Sequence, residues 1–198
     1  MNGAESRFPE SGLPSSAEQR RLLIDMRMKR SLLLLGCALL SVLPLSYAAS
    51  SDKSAEDQKF VDEAARGGKM EVELGQLAQK NGSSNEVKQF GQLMVTDHTR
   101  LNQELGEAAK KDGLTVPSEL NAKQKAEFQS LSKLSGKTFD EKYSQLMVQD
   151  HGKDLGAFQK AQSTVKSPDL KKAIDEAIPV IQHHLDMAKS TEQKVAAR

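Results

Sequence analysis

Apolar residues recur along this chain at alternating steps of four and three, the spacing of a helix that buries one stripe and wets the rest. The series Phe60, Ala64, Gly67, Glu71, Leu74, Ala78 predicts one such helix, and Val87, Gly91, Met94, His98, Leu101, Leu105, Ala108 a second. Ser144, Met147, His151, Asp154, Phe158, Ala161 predicts a third, and Leu170, Ile174, Ala177, Ile181, His184, Ala188 a fourth. Every stripe is broken by an ionisable residue: Glu71, His98, His151 with Asp154, and His184.

Capping signals bound these helices. Ser54 before Asp57, Ser83 before Glu86 and Thr138 before Glu141 have capping-box spacing, and Ser167-Pro168 reads as an N-cap with proline at the first helical position. Stops fall at Asn81-Gly82, at Asp112-Gly113 with Pro117 beyond, and at Gly136. The predicted helices are 55–80, 84–112, 138–165 and 168–196. The first two and the last two are joined by short links and so form antiparallel hairpins. Between 112 and 138 lies a longer connection with a modest helix near 119–134, carried by Phe128, Leu131 and Leu134, and a link of that length crosses a bundle. The fold class is therefore all-α, an antiparallel four-helix bundle with a crossover between its second and third long helices. Pro179, inside the last helix, removes one backbone hydrogen bond and predicts a kink one turn before His184.

A repeat gives the broken stripes meaning. Gln92-Leu93-Met94-Val95-Thr96-Asp97-His98 returns as Gln145-Leu146-Met147-Val148-Gln149-Asp150-His151. It sits midway along two helices and ends each time on an inward histidine. Counted from their turns, His98, His151 and His184 lie nearly level, while Glu71 is off by more than a turn, roughly 7 Å at 1.5 Å per residue. Neutral imidazole is the commonest side-chain ligand for zinc, copper and iron, and carboxylates extend such a set. The candidate metal ligands are thus His98, His151, His184, Glu71 and Asp154, with a transition metal ion such as zinc, copper or iron as cofactor. The alternative is a structural network in which Glu71 and Asp154 hydrogen-bond His98 and His151. Asp97 and Asp150 lie one step around from their histidines and read as solvated charges more than as orienting partners. His183 lies off the stripe and reads as standing at an interface edge or in solvent. Met70, Met94, Met147 and Met187 read as core filler rather than copper ligands.

Composition narrows the class. Aromatic residues are 4% of the chain, there is no Trp, and basic and acidic residues number 28 and 27, so no polyanionic partner such as nucleic acid is indicated. The stretch from Met28-Lys29-Arg30 through an apolar run to Ser46-Tyr47-Ala48 has the layout of a secretory signal peptide. Its apolar run is too short, and too interrupted by Pro44, for a membrane span. The expected organisation is a leading extension over 1–25, a signal peptide over 26–48 and one helical domain over 49–198. Removing residues 1–48 takes 6 basic and 4 acidic residues from those totals, leaving 22 against 23. Cys37, the one cysteine, lies in that segment; a lipid-attachment reading competes with that of an inert signal residue. The mature chain then has no thiolate ligand and no disulfide. No phosphate loop, nucleophile elbow or zinc-protease His-Glu pair occurs, so the expectation is a protein that is not an enzyme.

The chain resembles the bacterial domain of unknown function 4142 family, envelope proteins with a ferritin-like fold. The resemblance covers about 57 to 193 and rests on Phe60 through Gly75-Gln76-Leu77-Ala78, on Met94-Val95-x-Asp97-His98, on Phe139-Asp140-x-x-Tyr143 followed by His151, and on Pro179 followed by His184-Leu185. It implies a ferritin-like four-helix bundle, export to the periplasm or outer membrane, and no particular activity. Ferritin-like carboxylate proteins place a Glu three residues before a metal-binding His on two helices; here Val95 and Ile181 stand at those positions, which speaks against a di-iron oxidase. Two functions remain: metal binding in the interior for envelope stress or metal handling, and a non-catalytic structural or interaction protein that docks an envelope partner.

Overall fold

The computed structural model describes residues 44–198, with side chains from Ala55 onward. The expected extension and most of the expected signal peptide lie outside the described residues. The chain divides after Ala49, and the fold described here is that of the unit Ser50–Arg198. Among the described residues it is all helical: α1 Pro44–Asn81, α2 Asn85–Lys111, α3 Ala122–Ser132, α4 Gly136–Thr164 and α5 Pro168–Ala196.

Helix boundaries follow local chemistry, with three departures from the sequence reading. Nothing between Leu45 and Ser54 breaks a helix, so α1 starts at Pro44 and runs through Ser54 instead of being capped by it. The cap of α2 is Ser84, whose side chain accepts from the Val87 amide, because Ser83 turns instead to Asp140. Helix α4 begins at Gly136 rather than Thr138. Ser167 caps α5 by accepting from Leu170, with Pro168 behind it, as its dipeptide predicts. The helix is continuous through Pro179. At the end of α2, Gly113 takes φ 72°, and the Leu114 amide reaches back to the Ala109 carbonyl at 2.9 Å, closing off the orphan carbonyls.

Pairings along the helices give their directions. Gly75 abuts Gly91 and Gly68 abuts Asn102, so α1 and α2 are antiparallel. Phe60 meets Phe158 near one end of α1, and Gly82, just past the other, approaches Asp140, so α1 and α4 are antiparallel too. Helix α5 runs against α2 (Asp97 with His184, Lys111 with Asp169) and against α4 (Gln162 with Asp175). Helices α2 and α4 therefore run the same way. The connection between them travels back along α1, fastened by Gln58 to Thr115, Lys69 to Ser118 and Asn81 to Leu134. Asn121 and Gln124 cap α3 reciprocally within it, a capping box.

The predicted stripes of α2 and α5 are buried at every position. In α1 the stripe rotates by one residue toward the N-terminus: Val61, Ala65 and Gly68 are buried where Phe60, Ala64 and Gly67 are only half-buried. The core also contains Phe90, Phe139 and Tyr143, all fully buried: Tyr143 meets Phe90 edge-on, with ring centroids 6.2 Å apart, and stacks on Phe139 at 5.6 Å.

Candidate metal centre

Three histidines from three helices meet in the interior. His98 of α2 is 5% exposed, and His151 of α4 and His184 of α5 are fully buried. Their ring centroids stand 5.2 to 5.5 Å apart, and each offers a ring nitrogen within 4.8 Å of the other two. The repeat explains part of this. Because α2 and α4 run in the same direction, equivalent positions of the two heptapeptides sit at one level, and the Nε2 atoms of His98 and His151 come to 3.4 Å. Two nitrogens held about 2.0–2.1 Å from one ion at a tetrahedral angle would stand about 3.3–3.4 Å apart.

Hydrogen bonds behind the rings select their tautomers. His151 Nδ1–H donates to the Met147 carbonyl at 3.0 Å, one turn back along α4, which leaves the lone pair on Nε2, the atom facing His98. His184 Nε2–H donates to Asp97 Oδ2 at 2.9 Å, which leaves the lone pair on Nδ1. That Nδ1 is buried and has no hydrogen-bond partner. A carboxylate or carbonyl behind an imidazole is the arrangement that aims and strengthens a metal-binding nitrogen. Asp97, expected in solvent, is thus the orienting partner of His184; its role crosses from α2 to α5, and no pattern within one helix announces it. Its repeat counterpart, Asp150, instead pairs with Lys153 at 3.1 Å.

All three imidazoles are held neutral. Burial pushes His98 well below the usual histidine range, and the other two rings add to the effect. Burial also lowers His151, to about 4, with His184 next to it contributing. His184 is lowered by burial as well, partly offset by Asp97. Phe90 packs against His151 and His184 with ring centroids 6.3 and 6.5 Å away, and Leu101 and Ile181 are buried nearby, so the surroundings are dry. Neutral rings with lone pairs in a dry interior are ready ligands for a soft or borderline cation.

The two carboxylates are placed differently. Among the described residues neither Glu71 nor Asp154 belongs to the group of nitrogens. The network that would have them bond His98 and His151 does not form: His151 is served by Met147, and His98 touches His151. Glu71 is buried, and its carboxyl is held well above the usual range by burial and then by Asp154, Asp150 and Glu127. Asp154 is half-buried and pushed up to about 7, by burial and then by Asp150. The expected offset of more than a turn is not found: Gly75 meets Met94 and Gly68 meets Asn102 across the seam with α2, which puts Glu71 nearly level with His98, although its carboxyl lies outside the group of nitrogens. His183 is exposed, and Met70, Met94 and Met147 are core.

No helix among the described residues is long and apolar enough to cross a membrane. The family model described as Domain of unknown function (DUF4142) matches residues 43–191. No curated protein and no solved structure matches the chain.

Proposed function

We propose, for a chain that belongs to the DUF4142 family, an exported protein of ferritin-like four-helix architecture that binds one first-row transition metal ion through His98, His151 and His184. The single observation that carries this reading is the set of three neutral imidazoles, two of them with tautomers fixed from behind and one of those with a buried lone pair on Nδ1 that nothing else uses. A buried acceptor without a partner costs about 1–3 kcal/mol, and a cation at the common point removes that cost. The ferritin-like reading is supported by two antiparallel pairs whose middle helices run alike, joined by a crossover along α1. Export is supported by the basic start, apolar run and small residues over 28–48.

The role we assign is binding, in metal handling or envelope stress, rather than catalysis, since the two-carboxylate signature of oxidase bundles is missing at Val95 and Ile181. Zinc, copper and iron all suit imidazole. Metal analysis of untagged protein recovered from the periplasm tests the reading. We expect close to one equivalent in wild type and loss of it in a triple histidine-to-alanine variant; less than about a tenth of an equivalent in both would overturn it.

One observation favours a second reading, that of a structural or interaction protein of the envelope. Two of the three rings already bond a protein oxygen and the third, His98, pairs with His151, as polar pins of a core require. The readings separate on chelation: a melting temperature unchanged by a strong chelator, in protein never exposed to added metal, supports the second.

A further inference from the structure

The imidazole centre leaves over two inward carboxylates, and they share a different surface. Glu71, 2% exposed, has Oε2 buried without a hydrogen-bond partner. It lines an open cleft of about 750 Å³ walled by α1, α3 and α4, together with Asp154, Asp150 and Glu127. Six carboxylates and four cationic side chains line this cleft. Most of the cations are engaged at its edge: Arg66 donates to the Glu119 carbonyl, Lys153 holds Asp150 and Lys59 stands 3.9 Å from Glu63. Glu71 and Asp154 make no ion pair with any of the four.

Asp154 faces two ways. Besides the cleft, it lines a small void of about 30 Å³ shared with His98, Asn102 and Gly68. Room of that size holds about one water among polar partners. The void is bounded closely on the α1 side, where a Cβ at Gly68 would lie 2.0 Å from Asn102 Oδ1. His98 is also the least buried of the three histidines. Asp154 is thus common to the cleft and to the void, and the void, whose other walls include Leu101, Leu105, Phe158 and Ile181, reaches His98.

We propose that Glu71 and Asp154 form an outer transit site for a hydrated divalent cation, from which Asp154 passes the ion through the void to His98 and so into the three-imidazole centre. The inference rests on the metal-binding reading given above. Two carboxylates suit a cation that keeps most of its water, which is a station for passage and not for storage. The ion sheds that water at the void and exchanges oxygen ligands for nitrogen. A route alters the rates of entry and exit by one factor and leaves the equilibrium alone.

Stopped-flow mixing of the untagged apo protein with Co²⁺, followed by the visible absorption of the imidazole-bound ion, tests this. Asp154→Asn and Glu71→Gln are each expected to slow loading about tenfold or more, since an amide cannot give up a proton to hold the arriving cation. Release to excess chelator should slow equally, with the final absorbance unchanged, and Asp186→Asn on the exposed side of α5 should load like wild type. Wild-type rates in both cleft variants, with full occupancy, overturn the route and leave the metal centre standing. Loss of the final absorbance in Asp154→Asn also overturns it, making Asp154 a resident ligand. Failure of wild type to take up Co²⁺ removes the centre itself and the route with it.

Discussion

At the scale of single residues, the buried histidines tie stability to pH. His151 titrates near 6.5 when unfolded and near 4 here. Between those values the unfolded chain binds more protons than the folded one, so stability present above about pH 6.5 is lost as pH falls toward 4. A depression of this size corresponds to about 3 kcal/mol for the fully buried His151, and His98 and His184 shift in the same direction. Glu71 and Asp154 act oppositely: their raised carboxyls favour the folded state at low pH, and that contribution fades as pH rises through their folded values, near 7 for Asp154. The apo protein is therefore expected to be most stable near pH 6 to 7. Urea unfolding at a series of pH values checks it. Glu71→Gln should flatten the alkaline side, and His151→Gln the acid side; no change of slope in either variant would contradict the assignment. The sequence made the three rings legible because an ionisable residue on an apolar stripe stands out. It hid Asp97, since a hydrogen bond between two helices leaves no mark on the periodicity of either.

Among whole elements, close approach decides more than side-chain size. Gly75 and Gly91 let α1 and α2 touch backbone to backbone: a Cβ on Gly75 would fall 2.5 Å from the Gly91 carbonyl oxygen and 3.0 Å from Met94 Cβ. Gly75→Ala is expected to cost about 1–3 kcal/mol, the usual penalty of overpacking, readable as a lowered urea midpoint. Met94 lies one turn before His98, so the same variant should weaken metal retention more than a mutation of equal cost in α3. The apolar pattern located all four long helices, because each buries a stripe of many residues. Their starts were harder to read, since Ser54, Ser83 and Thr138 are plausible caps by composition and the choice between neighbouring serines depends on what else competes for them. Asp140 claims Ser83 from α4 and leaves Ser84 to cap α2. Helix α3 buries only Leu131, with Phe128 and Leu134 packed partly against the core, and its start is fixed by a capping box of Asn121 and Gln124 that those apolar residues do not announce.

For the whole molecule, the order of the long helices and the length of the crossover were readable, and the 53-residue spacing of the repeat turned out to mark two helices running in one direction. What the spacing could not reveal is the separation of the carboxylates from the imidazoles, which depends on how far each chain reaches across the interior. Export belongs to this scale as well. Mass spectrometry of protein from an envelope fraction should find a mature N-terminus near Ala48 or Ala49; an intact Met1 or Met26 terminus there would contradict signal cleavage.

Asp140 is 2% exposed and accepts from the Ser83 and Ser84 amides at 2.9 and 2.8 Å, with the Ser83 hydroxyl as a third donor. This single side chain of α4 grips the beginning of α2, about 16 Å along the rod from His151 at 1.5 Å per residue. Were α2 to slip past α4 by one turn, His98 would move about 5.4 Å, more than the roughly 4.2 Å that two ligands of one ion can span. The grip resists that sliding, so Asp140→Ala should loosen the metal from a distance, raising its release rate together with amide exchange at the start of α2. In mechanical terms the coordination distance is calibrated at the end of the rods, as a vernier is zeroed away from the object it measures.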